Sequence, residues 1–263
     1  MTDLKFEVAF MPKDIKKNPS QVCVLVDVLR ATTAMVTMLD KGCIEIILAD
    51  NESKIRDSLE GLDQHQTLIC AENIYGGVSE YAEFSPSLIS IKDMDLKDKR
   101  VVLKTTNGTL AGITLWNFGI QQVLVGSLIN AKAVMEKAVK MAIDLESSVT
   151  IVCAGRENGE IAALDDTYTA GVLLEYGKKT AESLNRKPLF KDSAKICKHL
   201  LSKYKDTIEA FEDSGSGETM RNIKCHEDIA LCATENSSSL APSLSFTKDG
   251  EIVVNKNNEV VVK

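Results

Sequence analysis

The chain has 263 residues, 44% of them hydrophobic and 26% charged, with a formal net charge of −7. That is ordinary globular usage, at a length that can bury a large core without disulfide or metal staples. No basic stripe accompanies the acidic balance, which argues against a nucleic-acid partner, although a few arginines and backbone amides can still converge on a small anion.

The opening MTDLKFEVAF has no basic region followed by an apolar stretch, so no secretory signal is expected. Val22 to Leu39 is the longest apolar stretch, and Asp27 and Arg30 interrupt it, which argues against a membrane span. QVCVLVD (21–27) reads as a buried strand. Thr32 to Asp40 reads as a helix, with Ala31, Met35 and Leu39 on one face and Gly42 as its stop. CIEIILAD (43–50) is the next strand, making 21–50 a compact βαβ unit. Residues 51–60 form a surface helix, TLICAEN (67–73) a strand, and Tyr75-Gly76-Gly77 a turn. RVVLK (100–104), QQVLVGS (121–127) and SVTIVCAG (148–155) continue as strands, alternating with helices at Thr109–Gly119, Ala131–Leu145 and about Ile161–Tyr176. This alternation predicts a three-layer α/β/α structure on a largely parallel or mixed sheet.

Beyond residue 180 the chain turns helical and charged, over 191–212 and 218–234, with the soft Ser214-Gly215-Ser216-Gly217 stretch between them. The tail GEIVVNKNNEVVVK predicts a hairpin turning around Asn255–Asn258. One compact unit over 1–263 is expected, with halves of about 1–127 and 128–263. Seven cysteines (23, 43, 70, 153, 197, 225, 232) form no C-x-x-C pair. Cys23, Cys70 and Cys153 lie inside apolar runs, as small buried hydrophobes of a reducing, cytoplasmic setting do.

Polar residues fall where strands end. Asp27 and Arg30 follow the first strand, Glu72 and Asn73 the third, and Thr105-Thr106-Asn107-Gly108-Thr109 the next. Gly126-Ser127 and Gly155-Arg156-Glu157 close two more. In parallel α/β sheets ligands bind at the carboxyl ends of the strands, so these groups are candidates for one site. The 105–109 turn suits an anion through its amides and the following helix N-terminus; helix capping by Thr106 or Asn107 is the alternative. Arg30 and Arg156 carry forks of donors suited to phosphate, sulfonate or carboxylate. Asp27 and Arg30 could equally pair with each other, and Arg156 could be solvated. Glu72, Glu157, Asp165 and Asp166 are oxygen donors for a hard cation, although Asp165 and Asp166 could simply charge a helix N-terminus.

Several phosphatase chemistries are excluded. Leu29 stands where a D-x-D nucleophile motif needs its second aspartate, no cysteine begins C-x-x-x-x-x-R, and His65, His199 and His226 form no ligand motif.

DVLRATT (27–33), TTNGT (105–109), Gly126-Ser127 and AGR (154–156) followed by Asp165-Asp166 resemble, in order and spacing, the 2-phosphosulfolactate phosphatase family. Asp228 and Cys232 ahead of Pro242 extend the likeness over nearly the whole chain. The resemblance implies an α/β/α fold and Mg²⁺-dependent hydrolysis of (2R)-phospho-3-sulfolactate to sulfolactate and phosphate, a step of coenzyme M biosynthesis. It implies Asp27, Arg30 and Asp166 as catalytic residues, and Mg²⁺ on Asp27 and Asp166 with Glu72. It adds Thr32, Thr106, Asn107, Gly108 and Arg156 as substrate-binding residues, and Thr105, Thr109, Ser127 and Gly155, at the same strand ends, complete that candidate set.

Departures from the family are Asn73 in place of an arginine, Glu83-Phe84 before Ser85-Pro86, Cys225 for a glycine and Glu235 for an aspartate. Other readings are a phosphatase for another small phospho-acid and a non-catalytic anion- or nucleotide-binding module. A homodimer is the base-rate expectation for the assembly.

Overall fold

A computed structural model describes residues 2–15, 20–60, 62–63, 65–246 and 251–256. In chain order the elements begin β1 (Thr2–Ala9), β2 (Val22–Val26), α1 (Ala31–Asp40), β3 (Glu45–Leu48), α2 (Glu52–Leu59), β4 (Thr67–Ala71) and α3 (Leu88–Asp93). They continue β5 (Arg100–Lys104), α4 (Gly108–Asn117), β6 (Gln122–Gly126), α5 (Ala131–Asp144), β7 (Val149–Cys153), α6 (Leu164–Ser183) and β8 (Arg186–Phe190). The helices α7 (Asp192–Leu200), α8 (Thr207–Glu212), α9 (Gly215–Asn222) and α10 (Glu227–Cys232) precede β9 (Ser243–Phe246) and β10 (Ile252–Asn255).

One ten-stranded sheet runs in the order β4-β5-β3-β10-β9-β6-β2-β7-β1-β8. β8, β1, β7, β2 and β6 are parallel neighbours, as are β3, β5 and β4. The β9–β10 hairpin joins these blocks through antiparallel pairings on both sides, so the sheet is mixed. Both faces are covered. In β2, Val22, Val24 and Val26 pack in the cluster of α5 and α6, while Cys23 and Leu25 pack with α1 and α4. This two-sided burial is why the strand reads as an unbroken apolar run. A third, smaller cluster joins Ile55 of α2 to Ile47, Val102 and Val253. No helix among the described residues is long and apolar enough to cross a membrane.

Two expectations are corrected, and a third falls partly outside the described residues. Residues 21–50 are not a βαβ unit of neighbouring strands, because β6, β9 and β10 separate β2 from β3. The tail strand 252–255 pairs with Ser243–Phe246; the hairpin expected around Asn255–Asn258, with its second strand, extends outside the described residues. The 191–212 segment breaks at a 3₁₀ turn (Leu201–Lys203), and 218–234 is divided between α9 and α10. Three strands, β1, β8 and β9, were not anticipated. β1 buries Leu4, Phe6 and Val8 on alternate positions, and β8 lies at the sheet edge, where Pro188 is tolerated.

Candidate functional site

The turn after β2 is tied by its own threonines. Thr32 Oγ1 donates to the Asp27 carbonyl (2.9 Å) and accepts from the Asp27 amide (3.1 Å), and Thr33 Oγ1 donates to the Val28 carbonyl (2.8 Å). Asp27 and Arg30 are thereby held buried at the strand end. They do not pair with each other. Arg30 Nη1 donates to Asp228 Oδ2 (2.9 Å) and Nη2 to the Gly76 carbonyl (2.7 Å), with Glu72 Oε2 3.8 Å from Nη2. Asp228, 0% exposed, also accepts from Ser87 Oγ (3.1 Å) and the Leu88 amide (2.9 Å), joining α10 to α3 and to the β2–α1 turn. Burial opposes the Arg30 charge, but the hydrogen bond and charge of Asp228 outweigh it and raise the pKa. Arg30 Nε has no hydrogen-bond partner among the described residues.

Three carboxylates crowd together beside this turn. Asp166 clasps two strand ends, accepting from the Val28 amide (2.9 Å) after β2 and the Gly155 amide (3.1 Å) after β7. Burial, then the charges of Asp165 and Asp27, hold Asp166 well above the ordinary carboxylate range. Burial, Glu72 and Asp165 push Asp27 up to about 7, with the amides of Ala31 and Gly108 pulling back. Burial raises Asp165 to about 6 against the Ser216 hydroxyl and the Arg156 charge, and its Oδ1 has no hydrogen-bond partner among the described residues.

The 105–109 turn closes on itself. Thr105 Oγ1 accepts from the Thr109 amide (3.1 Å), and Thr109 Oγ1 accepts from the Thr105 amide (3.2 Å) while donating to the Thr105 carbonyl (2.8 Å). The Thr106 amide donates to Glu72 Oε1 (2.7 Å), and Asn107 Oδ1 accepts from the Asn158 amide (3.0 Å) rather than capping its own helix. At Gly108 a Cβ would lie 2.5 Å from the Ala31 Cβ and 2.7 Å from Asp27 Oδ2, so only glycine lets α4 approach the β2 turn so closely. Ser127 lies beside Asp27 in the β2–β6 register, but its amide and hydroxyl are turned onto Asn130 Oδ1 (2.9 and 3.4 Å).

The structure therefore gathers Asp27, Arg30, Glu72, Thr106, Gly108, Gly155 and Asp166 through direct contacts, while Thr32, Thr105, Thr109 and Ser127 spend their hydroxyls on local turns. Sequence reasoning offered Asp165 as a cation donor but left it out of the site set, cited Asp228 only as part of the family likeness, and missed the N-terminus of α9. The Ser-Gly-Ser-Gly stretch is no spacer: Ser214 caps α9 by accepting from the Gly217 amide (2.9 Å), and the Arg156 guanidinium lies against Gly215. The available signal for Asp228 was its place at the head of the apolar run Ile229–Cys232, since a charge on a buried face needs a partner.

The departures have structural roles. Asn73 organises its own loop: Oδ1 accepts from the amides of Tyr75 (2.9 Å) and Gly77 (3.2 Å), and Nδ2 donates to the Val78 carbonyl (3.3 Å). That loop supplies the Gly76 carbonyl to Arg30. Glu83 and Phe84 complete the edge of β4, through Glu83 Oε2 on the Ile69 amide (2.7 Å) and the Phe84 carbonyl on the Ala71 amide (3.1 Å).

Fold and site together define an α/β protein with a carboxylate-rich centre, flanked by arginines, where the loops after β2, β4, β5 and β7 meet. A family model described as 2-phosphosulpholactate phosphatase matches residues 9–246, and the chain belongs to that family. Among its relatives, a probable 2-phosphosulfolactate phosphatase of Deinococcus radiodurans is 30% identical over 85% of this chain and 87% of that protein. Proteins of the same description from Pseudothermotoga lettingae (31%; 90% and 94% covered) and Clostridium novyi (26%; 93% and 99% covered) are similar along their whole length.

Proposed function

We propose that this chain is a phosphatase that hydrolyses 2-phosphosulfolactate to 3-sulfolactate and phosphate, with Mg²⁺ as its cofactor, in the cytoplasm and in a coenzyme M type of pathway. The observation that carries the reading is the buried trio Asp27, Asp165 and Asp166, with pKa values raised by burial and, in Asp27 and Asp166, also by neighbouring carboxylates, beside two arginines in a chain of this family.

The donor set fits Mg²⁺. All its members are hard oxygen ligands, Asp165 Oδ1 has no hydrogen-bond partner among the described residues, and a divalent cation would offset the burial and crowding of charge there. No three carboxylates among the described residues are already gathered as a ligand cage. Mg²⁺ does not need one, since it keeps several waters and takes one or two carboxylates plus phosphate. Asp27 and Asp166 would hold it, with Asp165 and Glu72 beside them. Bound there, it would supply charge neutralisation at the phosphoryl group and lower the pKa of a water.

The remaining work is positioning, as phosphoryl transfer demands. The Thr106 amide, which holds Glu72 in the structure, and the Gly108 amide beside Asp27 are donors of the kind that bind phosphoryl oxygens. Asp166 keeps the loops after β2 and β7 at a fixed separation, so that Asp27 and Arg156 face one substrate. Asp228 holds Arg30 as a fixed positive charge behind Glu72.

Phosphate release from 2-phosphosulfolactate, with Mg²⁺ and then with EDTA, tests the proposal. Turnover abolished by EDTA is the expected result; no release from this ester with Mg²⁺ present refutes the substrate. A different small phospho-acid is the second reading, favoured by Asn73, which brings no positive charge and is spent on its own loop.

A further inference from the structure

Arg30 and Arg156 are alike in sequence, each standing shortly after a strand, but the structure treats them oppositely. Arg30 is 3% exposed, and both its terminal nitrogens are committed, to Asp228 and to the Gly76 carbonyl. Arg156 is half-buried, and its guanidinium makes no hydrogen bond or ion pair among the described residues; it acts on Asp165 only through space. It is nevertheless held in place. The fork lies on the backbone of Gly215, so close that a Cβ there would fall 1.8 Å from Nη1 and 2.6 Å from Cζ. The adjoining Ser216 hydroxyl reaches Asp165, which places this end of α9 beside the carboxylate cluster. A held fork of donors with no partner of its own among the described residues is open to a planar oxyanion, whereas the committed fork of Arg30 is not.

From this arrangement we infer that Arg156, seated on Gly215, is the specificity-determining residue for the acid group of the substrate that is not transferred, a sulfonate or carboxylate. Arg30 is a fixed structural charge and does not take that group. The inference rests on the proposed phosphatase reading for its substrate class. Its chemistry requires only that a small sulfonated or carboxylated acid binds beside the carboxylate cluster. Planar, two-pronged donation suits such oxyanions and gives preference for a second acid group over a neutral one. Gly215 is then required for clearance: the three atoms nearest a methyl group there all belong to the flexible end of Arg156, which it would push aside.

Calorimetric titration of 3-sulfolactate and, separately, of inorganic phosphate into the wild type, Arg156→Gln and Gly215→Ala tests this in the presence of Mg²⁺. The expected result is a loss of about 10- to 100-fold in sulfolactate affinity in both variants, the range for a lost charge-assisted pair. Phosphate affinity should fall far less, and Gly215→Ala, which places alanine in a helix first turn, should be folded by circular dichroism. Equal losses for both ligands, no loss for sulfolactate, or a wild type that binds no sulfolactate would each overturn the inference. Wild-type turnover of 2-phosphosulfolactate is read independently. A protein that binds sulfolactate through Arg156 but releases no phosphate sinks the phosphatase reading and leaves this one standing.

Discussion

Replacing Asp27 by asparagine should make the metal-free protein more stable at pH 8 while abolishing turnover. Asp27 is buried, and burial together with the charges of Glu72 and Asp165 raises its pKa from 3.8 to about 7. The folded protein therefore holds a proton on this carboxyl over a range in which the unfolded chain has released it. Stability falls with rising pH wherever the folded state binds more protons, so this group costs nothing below pH 4, and its cost is complete above about pH 7. At ~1.4 kcal/mol per pH unit the rise corresponds to ~4 kcal/mol. Asparagine keeps the volume and removes the charge but still buries an amide, so a net gain of about 2–4 kcal/mol at pH 8 is expected, shrinking toward zero at pH 4.

Urea unfolding of both proteins in EDTA at pH 4.5 and pH 8 measures this directly. Adding Mg²⁺ at pH 8 should then stabilise the wild type, by ~2.7 kcal/mol at about a hundredfold excess over its dissociation constant, and the variant much less. An Asp27→Asn protein no more stable than the wild type at pH 8 would refute the idea that charge crowding is stored at this site, and with it the electrostatic argument for a cation.

Asp228→Ala should cost about 3–5 kcal/mol in urea unfolding, because it strands the buried Arg30 charge and two further donors. A cost below about 1 kcal/mol would show that the pair is not what joins α10 to the β2 turn. Gly108→Ala should lose turnover and about 1–3 kcal/mol of stability, since its methyl group meets Ala31 and Asp27 at once; wild-type turnover would refute the close approach as a requirement.

The parts of the fold legible in the sequence were those whose burial repeats locally. β2, β5, β6 and β7 are covered on both faces and so appear as short apolar runs bounded by polar residues. α5 shows its buried stripe at helical spacing. β1 was readable in principle, because Leu4, Phe6 and Val8 alternate with Asp3, Lys5 and Glu7. What no local pattern carries is the order of strands. The β9–β10 hairpin enters between β6 and β3 from the far end of the chain, and nothing within 21–50 announces that its two strands will be separated there.

The site divides along the same line. Asp27, Asp166, Arg156 and the 105–109 turn could be nominated because each stands at a strand end or helix start, a position legible from its neighbours. Whether such a residue is available to a ligand depends on partners distant in sequence, and these decide its chemistry. Arg30 meets Asp228 across 198 positions, and that contact converts a candidate substrate ligand into a buried ion pair. Arg156 finds no carboxylate within ion-pair reach among the described residues, only a glycine whose missing side chain makes room for it. The Ser-Gly-Ser-Gly composition was read as slack because glycine favours loops, whereas in the structure Gly215 gives clearance and Ser214 a helix cap. Two arginines of equal standing in the sequence thus have different uses, and the difference lies in residues that no motif around either of them contains.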